Sequence, residues 1–118
     1  MKRQPRSLTE RERQIVDVLL RRGGRGLDEL RDQVPTLQVI AQCDCGCPTV
    51  EFATPMSRDD GLDVVAEATV EGSHDSVLLF ATHDGFLASI EYVWVGDAKP
   101  TVWPEAQRLV STGRAGGA

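Results

Sequence analysis

The sequence predicts an α+β fold, in which two N-terminal helices pack on one face of an antiparallel sheet of about five strands. Three observations predict it. Apolar residues recur with the helical period of about 3.6 as far as Pro35. From Thr36 onward they alternate with polar residues, as on a strand. The connections between the alternating segments are too short for the crossovers that parallel strands need.

The length and composition indicate one globular domain. The chain has 118 residues, of which 41% are hydrophobic and 26% charged, and this profile is typical of a folded protein. We therefore expect a single domain over residues 1–118, with residues 1–6 and 111–118 as disordered tails.

Two helices are predicted before Pro35. The first lies within SLTERERQIVDVLLRRGG, where Thr9 and Glu12 have the spacing of a capping box and Leu8 is placed to act as a staple. Its apolar arc comprises Leu8, Ile15 and Leu19. The second and shorter helix lies within GLDELRDQVP, and Pro35 closes it.

The strands are predicted from alternation and from the turns that separate them. They lie within TLQVIAQC, TVEFA, LDVVAEATV, SVLLFATH and FLASIEYVWV. The fourth is apolar on both faces, which indicates a central strand. We expect Val77, Leu79 and Phe80 on this strand, and Ile90 on the next strand, to be core residues. Asp84-Gly85 predicts a type I′ hairpin turn between the last two strands.

Charge and targeting patterns narrow the function classes. The net charge of −5 argues against generic binding to nucleic acid, although the first 25 residues are rich in arginine. No apolar run reaches the roughly eighteen residues that span a bilayer, and no secretory signal is recognisable. Three cysteines do not form a disulfide framework. We expect a cytoplasmic protein.

All three cysteines lie in the octet CDCGCPTV, residues 43–50. The favoured interpretation is structural, with Cys43 buried on the strand face of Leu37 and Val39 and the chain bending at Gly46. On a flat strand the outer two cysteines would be about 13 Å apart, because each residue advances the chain by about 3.3 Å. Such thiols would not converge on one ion unless the chain bends.

Two other interpretations of the octet stay open. The first is a zinc site that uses Cys43, Cys45 and Cys47, with His74 or His83 as the fourth ligand. The second is a redox site, in which Cys45 and Cys47 form a strained small-ring disulfide or exchange it with Cys43. No Lys, Arg or His is adjacent in sequence to lower a thiol pKa.

Two sets of side chains are candidates for a partner surface. The third predicted strand carries carboxylates at Asp63, Glu67 and Glu71. The aromatic candidates are Tyr92, Trp94 and Trp103. The carboxylates are also expected on a strand face that is exposed to solvent, and the aromatic residues are also expected in the core or at the edge of the sheet. As functional surfaces, they would bind a protein partner of opposite charge or exposed apolar character.

Several segments together resemble a group of small bacterial proteins whose function is uncharacterised. They are LTERER, LDELRDQV, the central CxCGCP motif, the DGxLxxxE hairpin within HDGFLASIEYVW, and WP, spread over residues 7–104. The resemblance implies no activity, cofactor or catalytic residue.

No catalytic set is assembled in the sequence, so we expect a binding protein rather than an enzyme. The expected function is that of a small accessory protein, similar to an immunity or regulatory protein, that acts through its acidic sheet or aromatic surface on a protein partner. The alternatives are a small zinc-binding protein and a thiol-disulfide redox protein. We expect no cofactor, except zinc in the first alternative. We also expect that the protein binds neither nucleic acid nor membranes. A homodimer is compatible with the sequence.

Overall fold

A computed structural model describes residues 5–22, 27–55 and 61–111 of the chain. Within these residues, seven strands form one antiparallel sheet in the order β1-β2-β3-β6-β5-β4-β7. The strands are β1 (Arg6–Ser7), β2 (Gln38–Gln42), β3 (Val50–Phe52), β4 (Leu62–Val70), β5 (Ser76–Thr82), β6 (Leu87–Val93) and β7 (Leu109–Ser111).

Helical structure is confined to one long helix and three short segments of the described chain. These are α1 (Glu10–Arg22), α2 (Asp28–Arg31) and the 3₁₀ turns Val34–Thr36 and Ala106–Arg108. None of the helices in this part of the chain is long and apolar enough to cross a bilayer.

The first turn of α1 is held by the predicted capping box. The Glu12 backbone N–H donates to Thr9 Oγ1 at 3.1 Å, and the Thr9 N–H donates to Glu12 Oε1 at 2.9 Å. Arg6 adds two hydrogen bonds of 2.9 Å to the same carboxylate, which is buried. Leu8 is partly buried and packs against the core.

The predicted balance of helix and sheet is wrong. The sheet has seven strands instead of about five, and α2 is a single turn of four residues. The two strands that were not predicted are β1 and β7. Arg6 pairs with Val39 and Ser111 pairs with Ala68, so these residues, which were assigned to disordered tails, belong to the sheet. The remainder of the predicted tails, residues 1–4 and 112–118, lies outside the described residues, and residue 5 precedes β1.

The core lies between α1 and one face of the sheet. Val77, Leu79 and Ile90 are fully buried there, as predicted. The prediction for Phe80 is wrong, because this ring is only half-buried. Phe80 follows Leu79 on a regular strand and therefore points to the opposite face of the sheet.

The hairpin between β5 and β6 is present, but its turn is not of type I′. That type needs a positive φ at both central residues, and Asp84 has a negative φ. The Gly85 N–H donates to the Thr82 carbonyl at 3.0 Å, and the Thr82 N–H donates to the Phe86 carbonyl at 2.8 Å. With Gly85 at φ +92°, this is a three-residue loop in which a turn precedes a left-handed glycine.

Candidate metal centre

The three cysteines lie on a turn, residues 43–49, which we call the thiol loop. The Cys43 N–H donates to the Thr49 carbonyl at 3.0 Å and so extends the β2–β3 ladder by one step. The chain then turns back, with the Gly46 N–H 3.4 Å from the Cys43 carbonyl and Gly46 at φ +98°. The predicted bend at Gly46 is therefore confirmed, and a side chain other than glycine would be strained there.

The turn brings the three sulfur atoms together. All three Sγ atoms lie within 4.8 Å of one another, and those of Cys43 and Cys45 are 2.9 Å apart. Thiolates bound to one tetrahedral zinc ion at about 2.3 Å are roughly 3.8 Å from each other. The cluster is thus close enough to hold one metal ion after the Cys43 and Cys45 sulfurs separate by about 1 Å.

The predicted burial of Cys43 on a strand face is wrong. Strand β2 ends at Gln42, and Cys43 is only half-buried. Cys47 is the buried cysteine, with 3% of its surface exposed, and Cys45 is exposed. The separation of about 13 Å holds for a flat strand and does not apply to residues that are wrapped around a turn.

The pKa values of the two close thiols, Cys43 and Cys45, are shifted in opposite directions. The pKa of Cys45 is lowered to about 7, first because the Cys43 thiol donates a hydrogen bond to its sulfur and then because the Cys47 N–H does so at 3.4 Å. The pKa of Cys43 is raised to about 11, mainly because its proton is held in that bond to Cys45. One thiolate is therefore accessible near neutral pH before any metal binds.

Lys99 is a part of the site that the sequence did not indicate. Its ammonium group donates to the Cys45 carbonyl and contributes to the lowered pKa of the Cys45 thiol. It lies 54 residues from Cys45 in a segment without periodicity, so no local pattern could have placed it there.

His83, one of the two candidates for the fourth ligand, lies at the far end of the sheet. Val50, at the start of β3, pairs with Ile90 in the middle of β6, and the Tyr92 N–H, near the end of β6, donates to Thr49 Oγ1 at 3.0 Å. The thiol loop therefore lies at the end of the sheet where β6 finishes, whereas His83 precedes the start of β6. Its Nδ1 atom is 2.9 Å from Asp63 Oδ2.

His74 is on the same end of the sheet as the thiol loop but on a different turn. It is exposed between β4 and β5, and β6 separates β5 from β3. Among the described residues, no histidine or carboxylate joins the three sulfurs within 4.8 Å. The cluster is a set of three thiols.

The three candidate carboxylates of β4 do not form one surface. A bulge between Val64 and Ala66 shifts the alternation, so Asp63 lies across from Ala81 and Glu67 lies across from Leu78 on the opposite face. Glu71 follows the end of the strand, about 26 Å from Asp63 along the chain. Each carboxylate has a separate environment.

Two of the three candidate aromatic residues belong to the core. Tyr92 and Trp103 are 9% and 5% exposed, and their ring centroids are 6.0 Å apart. The Tyr92 hydroxyl donates to Asp75 Oδ2 at 2.7 Å, and burial, followed by this bond, raises the pKa of Tyr92 to about 12. Trp94 is half-buried and packs against the core.

The thiol loop is thus the one group of potential metal ligands in the part of the chain that the structure describes. Its geometry is the main guide to function. No protein-family model, no curated protein and no solved structure matches the chain.

Proposed function

We propose that the protein binds one zinc ion through the thiolates of Cys43, Cys45 and Cys47. The observation that carries this proposal is the convergence of the three Sγ atoms within 4.8 Å on a turn held by backbone hydrogen bonds. Thiolates are soft ligands that favour zinc and monovalent copper over magnesium or calcium.

The three cysteines differ in burial, and this supports the proposal that a bound ion is accessible from solvent. Cys47 anchors the site on its buried side, and Cys45 leaves it open on the exposed side. Zinc prefers four ligands, and the described residues place three near one point. In this proposal water or a side chain from a protein partner completes the coordination, which agrees with the expected role as a binding protein.

Metal binding would be linked to proton release. The Cys45 thiolate, with a pKa of about 7, is available to capture the ion at neutral pH. The Cys43 thiol, with a pKa of about 11, must lose its proton to the solvent as it becomes a ligand. The apparent affinity for zinc should therefore increase with pH through and above neutrality.

The test is metal loading of the reduced full-length chain, followed by gel filtration and elemental analysis. We expect about one equivalent of zinc, and with cobalt the sulfur-to-metal charge-transfer absorption of a thiolate site. Cys45→Ser is the main variant because Cys45 is exposed, so its substitution should leave the fold intact. It should abolish stoichiometric binding, whereas the control variants His74→Ala and His83→Ala should not. Zinc retention that is equally low in the wild-type chain and in Cys45→Ser would contradict the proposal.

Thiol–disulfide exchange is the second candidate function. It is favoured by the 2.9 Å separation of the Cys43 and Cys45 sulfurs and by the lowered pKa of the exposed Cys45 thiol. The Cys45 thiolate would attack a disulfide and release one thiolate from it. The Cys43 thiol would then lose its proton and displace the second thiolate, which leaves a Cys43–Cys45 disulfide and a reduced substrate.

Cys47 distinguishes the two candidates, since only the metal site needs it. We expect Cys47→Ala to lower zinc binding sharply. If the exchange activity also exists, this variant should still form the Cys43–Cys45 disulfide when the metal-free protein is treated with oxidised glutathione. Peptide mapping by mass spectrometry and free-thiol counting would show the bond. Circular dichroism confirms that the variant is folded.

A further inference from the structure

A cavity of about 570 Å³ lies beside the thiol loop and is not used by the proposed metal site. It is bounded by β1, the first turn of α1, the end of β2, Pro48 of the thiol loop and the segment at residues 101–103. This volume is within the range of cavities that hold small organic ligands.

Part of the cavity lining is apolar. Trp103 and Pro48 are both buried residues of its lining. Trp103 packs against Tyr92, with the rings tilted by 39°, and its carbonyl accepts a hydrogen bond of 2.8 Å from Arg11 Nη1. An aromatic or aliphatic group could therefore bury apolar surface against this part of the lining.

The charges that line the cavity leave one cation unbalanced. The Glu12 carboxylate accepts from both terminal nitrogens of Arg6 and from the Thr9 N–H, so Arg6 and Glu12 neutralise each other. Arg11 is exposed and lines the same cavity, where its bond is to a neutral carbonyl. The lining therefore carries a net charge of +1.

Trp103 also carries a buried hydrogen-bond donor that lacks a partner in the described part of the chain. The indole Nε1 of Trp103 is buried, and within the described residues it has no acceptor. A buried N–H without an acceptor is unfavourable.

From these features we infer that the cavity binds a small apolar monocarboxylate. The apolar part would lie on Trp103 and Pro48, and the carboxylate would pair with Arg11. This site is independent of the proposed zinc site, because none of the three cysteines lines the cavity.

The test uses a series of probes that differ only in charge. They are 4-phenylbutyrate, the neutral 4-phenylbutyramide and the cationic 4-phenylbutylamine. The probes are titrated into the Trp94→Phe variant, in which Trp103 is the only tryptophan. The fluorescence and the indole ¹H–¹⁵N signal of Trp103 therefore report on the cavity. We expect the carboxylate to bind at least about tenfold more tightly than the amide, the amine to bind most weakly, and the Trp103 signal to shift on saturation.

Matched variants locate the carboxylate. Arg11→Gln should lower the affinity for 4-phenylbutyrate at least about tenfold, whereas Arg13→Gln, on the same helix but outside the lining, should leave it unchanged. Cys45→Ser should bind the carboxylate normally, which separates this site from the metal site. The melting temperature of Arg11→Gln checks that it is folded. Equal binding of carboxylate and amide, or no saturation by about 10 mM, would overturn the inference.

Discussion

Cys43 and Cys45 lie two residues apart, yet the pKa values of their thiols are shifted in opposite directions. The donor of the bond between them keeps its proton, which raises its pKa to about 11, and the acceptor becomes a thiolate more readily, with a pKa of about 7. Cys45 is also the exposed member of the pair. Accessibility and thiolate character therefore coincide at one residue.

We predict that Cys45 is alkylated first in the reduced, metal-free protein. Its rate with iodoacetamide should be half-maximal near pH 7, because the thiolate is the nucleophile, and the Cys43 rate should continue to rise far above that pH. Mass spectrometry of peptides after short exposures at a series of pH values measures both rates.

Cys43→Ala provides the control for this prediction. It removes the donor that contributes most to the lowered pKa of Cys45, so the midpoint for Cys45 should move upward toward its ordinary value of 9.0. An unchanged midpoint in Cys43→Ala would show that the bond between the two thiols does not control their reactivity.

At the scale of single elements, the β5–β6 hairpin depends on one residue. Gly85 has φ +92°, and a Cβ added there would meet no atom within 4 Å. The cost of a substitution at Gly85 should therefore come from the backbone conformation alone and not from a clash.

We predict that Gly85→Val lowers the free energy of unfolding by about 1–3 kcal/mol, since a β-branched residue is strained at this φ. Gly85→Asn should lower it less, because asparagine tolerates positive φ better than valine does. Urea unfolding of both variants measures the difference. Equal losses for the two substitutions would contradict the argument from conformation.

Four of the five strands that the sequence predicted correctly have five or more residues, which is long enough for an alternation to be seen, and β3 has three. Each of the five predicted strand segments contains a strand, and the capping box also gives a clear local signal. The prediction that Pro35 closes the second helix is wrong, because α2 ends at Arg31 and Pro35 lies within the 3₁₀ turn Val34–Thr36. Strand β1 has two residues, which is too short for an alternation to be seen, and β7 has three. Their place in the sheet depends on pairing with distant residues.

The predicted burial of Cys43 on a strand face is wrong for a different physical reason. Cysteines at every second position have the pattern of a strand face, and Cys43 follows directly on the apolar alternation of β2. The left-handed Gly46 and the turn around it override that pattern. The sequence identified the residues of the candidate site and the bend, but it did not place the sulfurs together or bring Lys99 to the loop.

At the scale of the whole molecule, the two faces of the sheet have different roles. One face packs beneath α1 and contributes Leu79 and Ile90 to the core. On the other face, Leu78 is half-buried and lies between Glu67 and Glu91 on the neighbouring strands. Consecutive residues of β5 thus lie in a dry core and on a partly solvated surface.

We predict that Leu79→Ala lowers the free energy of unfolding by about 2–5 kcal/mol, because it removes a fully buried side chain and leaves a cavity beneath α1. Leu78→Ala is the matched control: it deletes the same atoms one position earlier, on the other face, and should cost about 1 kcal/mol. Urea unfolding followed by circular dichroism gives both values. The two losses must differ clearly if the face beneath α1 forms the core, and a loss in Leu78→Ala as large as that in Leu79→Ala would mean that the second face is covered as well.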